Sequence, residues 1–205
     1  MSTNPIDDSK EIILGSGELY MDLFDGSTIP EDSVIEVDDK RAGNILGGAK
    51  LYYSIASQSV SSDNGRVKTT VLTEETIKFV TGMVTWTPTW MKALIPTARL
   101  DTAAPSNRRR YKIGGLDYQH YERYLLRFVH KKKDGRKVRI TITGPNTGEL
   151  GIAFDKEKPT TIDAEITAEP LDTEGTLVIF DEELEAAEAA AAAAGESGES
   201  GESGE

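Results

Sequence analysis

The chain has 205 residues and a formal net charge of −12, a length compatible with a single domain of ordinary size. It contains no cysteine, which excludes a disulfide framework, a thiolate nucleophile and a cysteine-based zinc site. Nine acidic side chains and no basic one lie in residues 181–205, so −3 of the −12 remains for residues 1–180. Such a surface gains little from duplex nucleic acid, and tight DNA binding is not expected.

The sequence also bears on membranes and export. No apolar run approaches the roughly 18 to 20 residues that a membrane span needs. Residues 1–8 lack the basic and apolar regions of a signal peptide. We therefore expect no membrane insertion and synthesis in a cytoplasm.

The chain begins with a polar stretch, residues 1–10, which predicts a flexible N-terminal arm. Residues 18–24 predict a strand with one apolar face formed by Leu19, Met21 and Leu23. Residues 25–48 are acidic and rich in glycine, which predicts loops around at most one short strand at residues 34–37.

A long hairpin is predicted next. Residues 49–60 and 66–72 read as strands, and Asp63-Asn64-Gly65 between them is a strong hairpin turn signal. Residues 76–86 fit a strand face and, less well, a helix face; their Thr, Val, Ile, Phe and Trp content favours the strand.

A short helix follows this strand. Thr87 is a suitable N-cap, Pro88 suits the first helical position and Pro96 ends the segment. The apolar spacing comes from Trp90, Met91, Leu94 and Ile95. Further strands are predicted at residues 111–113, 121–130, 137–143, 150–154, 161–168 and 176–180.

Short strands separated by frequent turns predict a mainly β fold, an antiparallel sandwich or barrel with one short flanking helix. The β domain is expected to span residues 11–180. Residues 181–194 predict an acidic, alanine-rich helix or linker. The Gly-Glu-Ser repeat of residues 195–205 predicts a solvated, disordered tail.

No residue pattern points to catalysis, a cofactor or a metal. His120 and His130 have no partner at ligand spacing, and both are expected at the surface or rim. Three acidic clusters lack the spacing of a calcium-binding loop. They are Asp38-Asp39, Glu74-Glu75 and residues 181–183. Ser16 lies between Gly15 and Gly17 but lacks the pattern of a nucleophile elbow. These two glycines and the pair Gly47-Gly48 also lack the pattern of a phosphate-binding loop. The chain is therefore predicted not to be an enzyme.

Two basic segments, residues 108–110 and 131–139, leave two interpretations open. They could contact phosphates, with nearby stacking groups in Tyr111, Tyr118 and Tyr121. Alternatively, the hairpin at residues 131–139 serves solubility and protects a sheet edge, or it pairs with acidic loops at residues 25–40 of a neighbouring subunit. We favour the neighbour, since head-to-tail contacts of this kind build rings or filaments.

Several segments follow one another in a recognisable order along the chain. In the first half they are residues 17–20, the hairpin start at Gly48-Ala49, Thr73-Glu74-Glu75 and residues 82–86 before the helix. In the second half they are residues 128–136, 161–166 and 172–177. The order of these segments resembles that of the major tail tube proteins of long-tailed bacterial viruses.

The resemblance implies a β-sandwich that assembles into six-membered rings stacked into a tube. Each copy lends a long hairpin to a continuous inner barrel, and the tube conducts DNA from the capsid into the host. The barrel is expected from residues 49–72 and 76–86, with residues 25–48 as an inter-ring loop. The implied location is the virion tail, assembled in the host cytoplasm. The implied partners are further copies, the tape-measure protein and the tail-terminator or tip proteins, with DNA passing transiently.

Two alternative functions stay open. A tube protein of a contractile injection or secretion apparatus shares the fold and lacks the DNA cargo. A monomeric β-sandwich module could bind sugar through Trp86, Trp90 and the tyrosines, whereas the competing interpretation places the two tryptophans in the core against the helix.

Overall fold

A computed structural model of the chain describes residues 17–43, 45–61, 68–83, 88–120, 122–149 and 162–185. Several predicted features lie outside these residues, namely the N-terminal arm, the Asn64-Gly65 turn, Trp86, the Thr87 cap, Tyr121, the strand at 150–154 and the tail beyond residue 185. In chain order the strands are β1 (Glu18–Leu23), β2 (Arg41–Gly43), β3 (Ile45–Ser61), β4 (Lys68–Met83), β5 (Arg99–Leu100), β6 (Tyr111–Lys112), β7 (Tyr124–Lys131), β8 (Lys137–Thr143), β9 (Ile162–Thr167) and β10 (Val178–Glu182). The helices are α1 (Asp32–Ile35) and α2 (Pro88–Leu94), with 3-10 turns at Asp38–Lys40 and Leu116–Tyr118.

The strands form antiparallel sheets, so the predicted mainly β fold is confirmed. One sheet has five strands in the order β10-β8-β7-β1-β2, and a second has three in the order β3-β4-β9. Strands β5 and β6 form a small third sheet. Every strand pairing within the described residues is antiparallel.

The two larger sheets share one hydrophobic core. Strand β9 shows why, since its apolar residues alternate with polar ones and only the apolar set is buried, as Ile162, Ala164 and Ile166. Rings from the two sheets meet where Phe79 and Phe128 have centroids 6.0 Å apart. Full burial of a ring such as Phe79 stabilises the fold by roughly 1.5–3 kcal/mol.

Helix α2 closes one part of this core. It begins at Pro88 as the sequence predicts, and its apolar side chains Trp90, Met91 and Leu94 are all buried. Trp90 is 1% exposed. Its core-packing interpretation is therefore confirmed, and a stacking platform for sugar at this residue is excluded.

Two predicted elements differ from the structure. The strand expected at residues 34–37 is wrong, because residues 32–35 form α1, which buries Ile35 completely against the outer face of the five-stranded sheet. Residues 66–72 and 76–86 were predicted as separate strands, yet β4 runs without a break from Lys68 to Met83. A register shift between Ala56 and Ser57 accommodates the extra residue in β4 as a bulge.

The C-terminal boundary also differs from the prediction. Asp181 and Glu182 belong to strand β10, where they pair with Arg139 and Val138 of β8. A helix beginning at residue 181 is therefore wrong. The ladder hydrogen bonds and the facing cations favour strand over the helix that local composition favours.

Two glycines with positive φ provide a matched test of packing. A Cβ at Gly144 would lie 1.9 Å from the carbonyl oxygen of Thr167, whereas a Cβ at Gly175 would meet nothing within 4 Å. Both alanine variants bear the backbone strain, which costs about 1–3 kcal/mol, but only Gly144→Ala adds the clash. Urea unfolding should therefore show a clearly larger loss for Gly144→Ala than for Gly175→Ala. Equal losses would contradict this account.

Candidate assembly interface

The hairpin of β3 and β4 extends well beyond the rest of the fold. Strand β9 pairs with β4 only at residues 78–83. Beyond that point every described side chain of residues 51–60 and 68–75 is exposed, on both sides of the hairpin. Ten residues of strand span roughly 33 Å, so the hairpin projects by a distance comparable to a small domain.

The projecting part has open backbone edges. No strand in the described part of the chain pairs with the outer edge of β3, or with β4 between residues 68 and 77 on the side away from β3. Each such edge presents a row of N–H and C=O groups that can pair with another strand. An isolated two-stranded hairpin is only marginally stable in water. Within the described residues, both edges of the projecting hairpin are therefore available for pairing with a further strand.

Large apolar side chains populate this exposed hairpin. They are Leu51, Tyr52, Tyr53, Ile55, Val60, Val71 and Leu72, each between 38% and 60% exposed. Soluble monomers seldom expose contiguous apolar patches of this kind unless the patch binds something. The sequence carries the signal in the consecutive run Leu51-Tyr52-Tyr53, which breaks the alternation of a half-buried strand.

The register of the three-stranded sheet separates its two faces. We call core face the side that packs on the five-stranded sheet, and free face the opposite side. On the hairpin the core face carries Leu51, Tyr53, Ile55, Ser57, Ser59, Thr70, Leu72 and Glu75. The free face of the sheet carries Lys50, Tyr52, Ser54, Ala56, Gln58, Val60, Thr69, Val71, Glu74, Thr76, Lys78, Val80, Asp163, Glu165 and Thr167.

Cross-strand side-chain bonds hold the projecting hairpin in register. Ser59 and Thr70 hydroxyls lie 3.0 Å apart, and the Tyr53 hydroxyl donates to Glu75 at 2.8 Å. That hydrogen bond to a carboxylate is the main reason that the pKa of Tyr53 is raised above its usual value. These contacts fix the hairpin's shape without covering its apolar groups.

Parts of the acidic segment at residues 25–40 and of the basic hairpin at residues 131–139 meet within one chain. Asp32 of α1 forms an ion pair with Arg127. The carboxylate of Glu36 accepts from Arg139 Nε at 2.5 Å and from Lys137 Nζ at 2.6 Å. Asp32 and Glu36 are therefore paired within one copy, and the predicted charged contact with a neighbouring subunit is left to the other charged residues of these segments.

Glu36 is the centre of this ion-pair cluster, with a side chain only 7% exposed. Burial alone would raise the pKa of this carboxyl, but the hydrogen bonds from Arg139 and Lys137 outweigh it and lower the pKa below its ordinary value. The segment from residue 25 to residue 40 is thus fastened to the outer face of its own sheet. Its predicted role as part of an inter-ring loop loses its electrostatic basis.

The end of the described chain adds acidic groups to the same basic hairpin. Glu183 pairs with Arg139 at 2.8 Å and accepts from the backbone N–H of Lys137. Glu182 forms an ion pair with Lys132. Of the basic residues predicted at 131–139, Lys131 and Lys133 are the exposed ones that face solvent at the tip.

The second basic segment is partly neutralised. Arg110 and Lys112 both lie within 3.4 Å of the Asp101 carboxylate, while Arg108 and Arg109 are exposed. The guanidinium of Arg99 lies 3.8 Å from the ring centroid of Tyr118. One face of that predicted stacking group is therefore occupied within the chain.

The two histidines occupy separate environments. His130 is 3% exposed in β7, so the expectation of a surface or rim position is wrong for it. Strand β7 is buried on both faces by the core and by α1, which the sequence alone does not reveal. His120 lines an open cavity of about 300 Å³ beside Glu122, whose nearest carboxylate oxygen is 4.0 Å from Nδ1.

The cavity at His120 has its own hydrogen-bonded pair. The Tyr124 hydroxyl donates to Glu122 at 2.6 Å. Burial, followed by this bond to a carboxylate, raises the pKa of Tyr124. Among the residues that the structure describes, no group of three or more acidic, histidine or cysteine side chains is arranged to hold a metal. The same residues include no helix long and apolar enough to cross a membrane.

No protein-family model matches the sequence, and no curated protein is significantly similar to it.

Glu36 allows a test of the ion-pair cluster. Glu36→Gln removes the carboxylate that Arg139 and Lys137 share, and the loss of hydrogen bonds to a charged group costs roughly 1.5–3 kcal/mol. Asp39→Asn is the matched control, since Asp39 is exposed in the same segment. Chemical denaturation at neutral pH should show the large loss only for Glu36→Gln.

We also expect the unfolding free energy to depend on pH differently in the unmodified protein and in Glu36→Gln. The folded-state pKa of Glu36 lies below the unfolded value of about 4.5, so its contribution is present above that value and is lost as the pH falls through the folded-state pKa. The unfolding free energy of the unmodified protein should therefore fall more steeply with acid than that of Glu36→Gln. Unfolding free energies that fall equally steeply with acid in both proteins would contradict this assignment.

Proposed function

We propose that this chain is a structural protein of a bacterial-virus tail, whose copies assemble into stacked rings that form the tube through which DNA leaves the capsid. The observation that carries the proposal is the β3–β4 hairpin, which projects with open edges and exposed apolar groups on both faces. Such a hairpin is suited to joining copies of the same chain. The proposed role is structural and involves no catalysis.

The strand polarity suits a closed ring. If β3 of one copy pairs with the open part of β4 in the next, the order β3-β4-β3-β4 keeps every neighbour antiparallel. This contact is heterologous, and a heterologous contact that closes forms a ring. Closure also removes the exposed edges that otherwise cause uncontrolled aggregation.

The resemblance to major tail tube proteins supplies the remainder of the proposal. It supports a β-sandwich subunit, six copies per ring, a place in the virion tail, and contacts with tape-measure and tail-terminator or tip proteins. A tube of a contractile injection apparatus would use the same hairpin. A sheath gene beside the gene for this chain would favour that alternative, and a capsid gene with a tape-measure gene and no sheath would favour the non-contractile tail.

A pair of substitutions tests the hairpin as the assembly surface. Ile55→Asp places a charge among the exposed apolar groups of the hairpin, whereas Leu116→Asp does so at a position that is 84% exposed and remote in sequence. Negative-stain microscopy and size-exclusion chromatography should show rings or tubes for the unmodified protein and for Leu116→Asp. Ile55→Asp should remain monomeric with an unchanged unfolding midpoint, because the residue is already exposed in the single copy.

Two results would overturn the proposal. One is unmodified protein that stays monomeric at high concentration and never forms rings. The other is Ile55→Asp protein that assembles as well as the control.

A further inference from the structure

The two faces of the three-stranded sheet differ in what covers them. The hydrophobic core beneath the sheet takes residues from its core face, among them Ile77, Phe79 and Ile166. No member of either core cluster of the described residues comes from the free face. Burial alternates accordingly along β4, where Phe79 is 1% exposed and Lys78 and Val80 on either side are more accessible.

We infer that the free face of the β3-β4-β9 sheet lines the bore of the assembled tube. This inference rests on the proposed function, because it takes the ring of hairpins as given. Joining the hairpins edge to edge makes a closed wall with an inside and an outside. The five-stranded sheet of each copy lies against the core face, and several such sheets cannot occupy an open bore. The core face must then point outward and the free face inward.

The chemistry of the free face suits a surface past which DNA slides. Most of its side chains are small or uncharged, including Ser54, Ala56, Gln58, Thr69 and Thr76. None is arginine, the residue that forms bidentate contacts with phosphate. Phosphates passing along this wall therefore find few groups able to hold them.

The charges on the free face nearly balance. Its two lysines, Lys50 and Lys78, are set against three carboxylates, those of Glu74, Asp163 and Glu165, which leaves one net negative charge per copy within the described residues. Lys78 is already paired with Glu165 at 2.8 Å. Binding of DNA depends on neutralising phosphates with cations, and this face offers no net positive charge to do so.

The core face of the hairpin differs from the free face next to the body of the subunit. It holds a contiguous apolar group formed by Leu51, Tyr53, Ile55 and Leu72. With this side turned outward from the bore, its apolar groups are placed where the body of an adjacent copy can cover them. We therefore assign a second copy of the chain as the partner that covers the core face of the hairpin. The free face, in contrast, is suited to let DNA pass without binding it.

The absence of native cysteine allows a labelling experiment on assembled tubes. Three single-cysteine variants are compared: Ser54→Cys on the free face, Ser57→Cys on the core face of the hairpin, and Thr173→Cys in an exposed turn of the body. Each is treated with a small maleimide and with a maleimide attached to a polymer too large to enter the bore. Unassembled protein serves as the reference, in which all three positions are open to both reagents.

In tubes, Cys at position 54 should react with the small maleimide and resist the large one, because the bore admits only the small reagent. Cys at position 57 should lose reactivity toward both, and Cys at position 173 should keep reactivity toward the large reagent wherever the turn is not covered. Tubes in which position 57 shows the bore pattern and position 54 is protected from both reagents would overturn the face assignment while leaving the proposed function intact. Protein that forms no tubes on the grid would instead count against the proposed function.

Discussion

Backbone hydrogen bonding decides which edges of this fold are closed. Among the described residues, the outer part of the β3–β4 hairpin has one strand partner where a sheet interior has two, which leaves rows of N–H and C=O groups along both edges without a strand partner. Proteins usually shorten, charge or cover such edges. Here they are long and carry Val60, Val71 and Leu72. In the proposed ring, a second copy supplies both missing strand partners with antiparallel polarity.

Electrostatics has a different task in this chain. The carboxylates of Asp32 and Glu36 are consumed by Arg127, Arg139 and Lys137 in the same copy. Intramolecular pairing of this kind means that the proposed association rests on backbone hydrogen bonds and apolar burial. The proposed interface would lose little to salt, because salt at 0.1 M screens charge interactions over about 10 Å and acts mainly on solvent-exposed pairs. The charged residues stabilise the subunit, whereas the hairpin is the part proposed to join subunits.

The strands and the α2 helix could be predicted because local pattern and final environment agree there. Pro88 and the spacing of Trp90 to Leu94 specify a helix whose apolar side meets the core. The hairpin could be predicted for the same reason, through its alternation and its Asn-Gly turn. Strand β4 was predicted as two strands with residues 73–75 between them, whereas the ladder to β3 continues through this stretch with a bulge.

Features that depend on distant partners could not be predicted. Residues 34–37 carry β-branched side chains that favour a strand, yet Ile35 is buried in α1 against Leu125, a partner far along the sequence. His130 is buried because β7 is covered on both faces, which no local pattern specifies. The pairing of acidic and basic segments within one copy is likewise a product of topology. Complementary charge in a sequence identifies partners but not whether they belong to the same molecule.

In the proposed tube, the β3-β4-β9 sheet must pack on its own subunit with one face and line the bore with the other. Side chains that alternate between the two faces of a strand allow it to do both. One set of alternate residues includes an apolar run that continues the hydrophobic core outward along the hairpin, from Phe79 through Tyr53 to Ile55. The other set is nearly neutral and mostly polar or small, with Tyr52, Val60 and Val71 as its larger apolar members. A one-residue slip of β3 against β4 would move the apolar run of β3 to the free face. The bulge beside Ser57 and the hydrogen bond between Tyr53 and Glu75 hold the register, so the contacts that fix the hairpin also decide which chemistry each face of the wall presents.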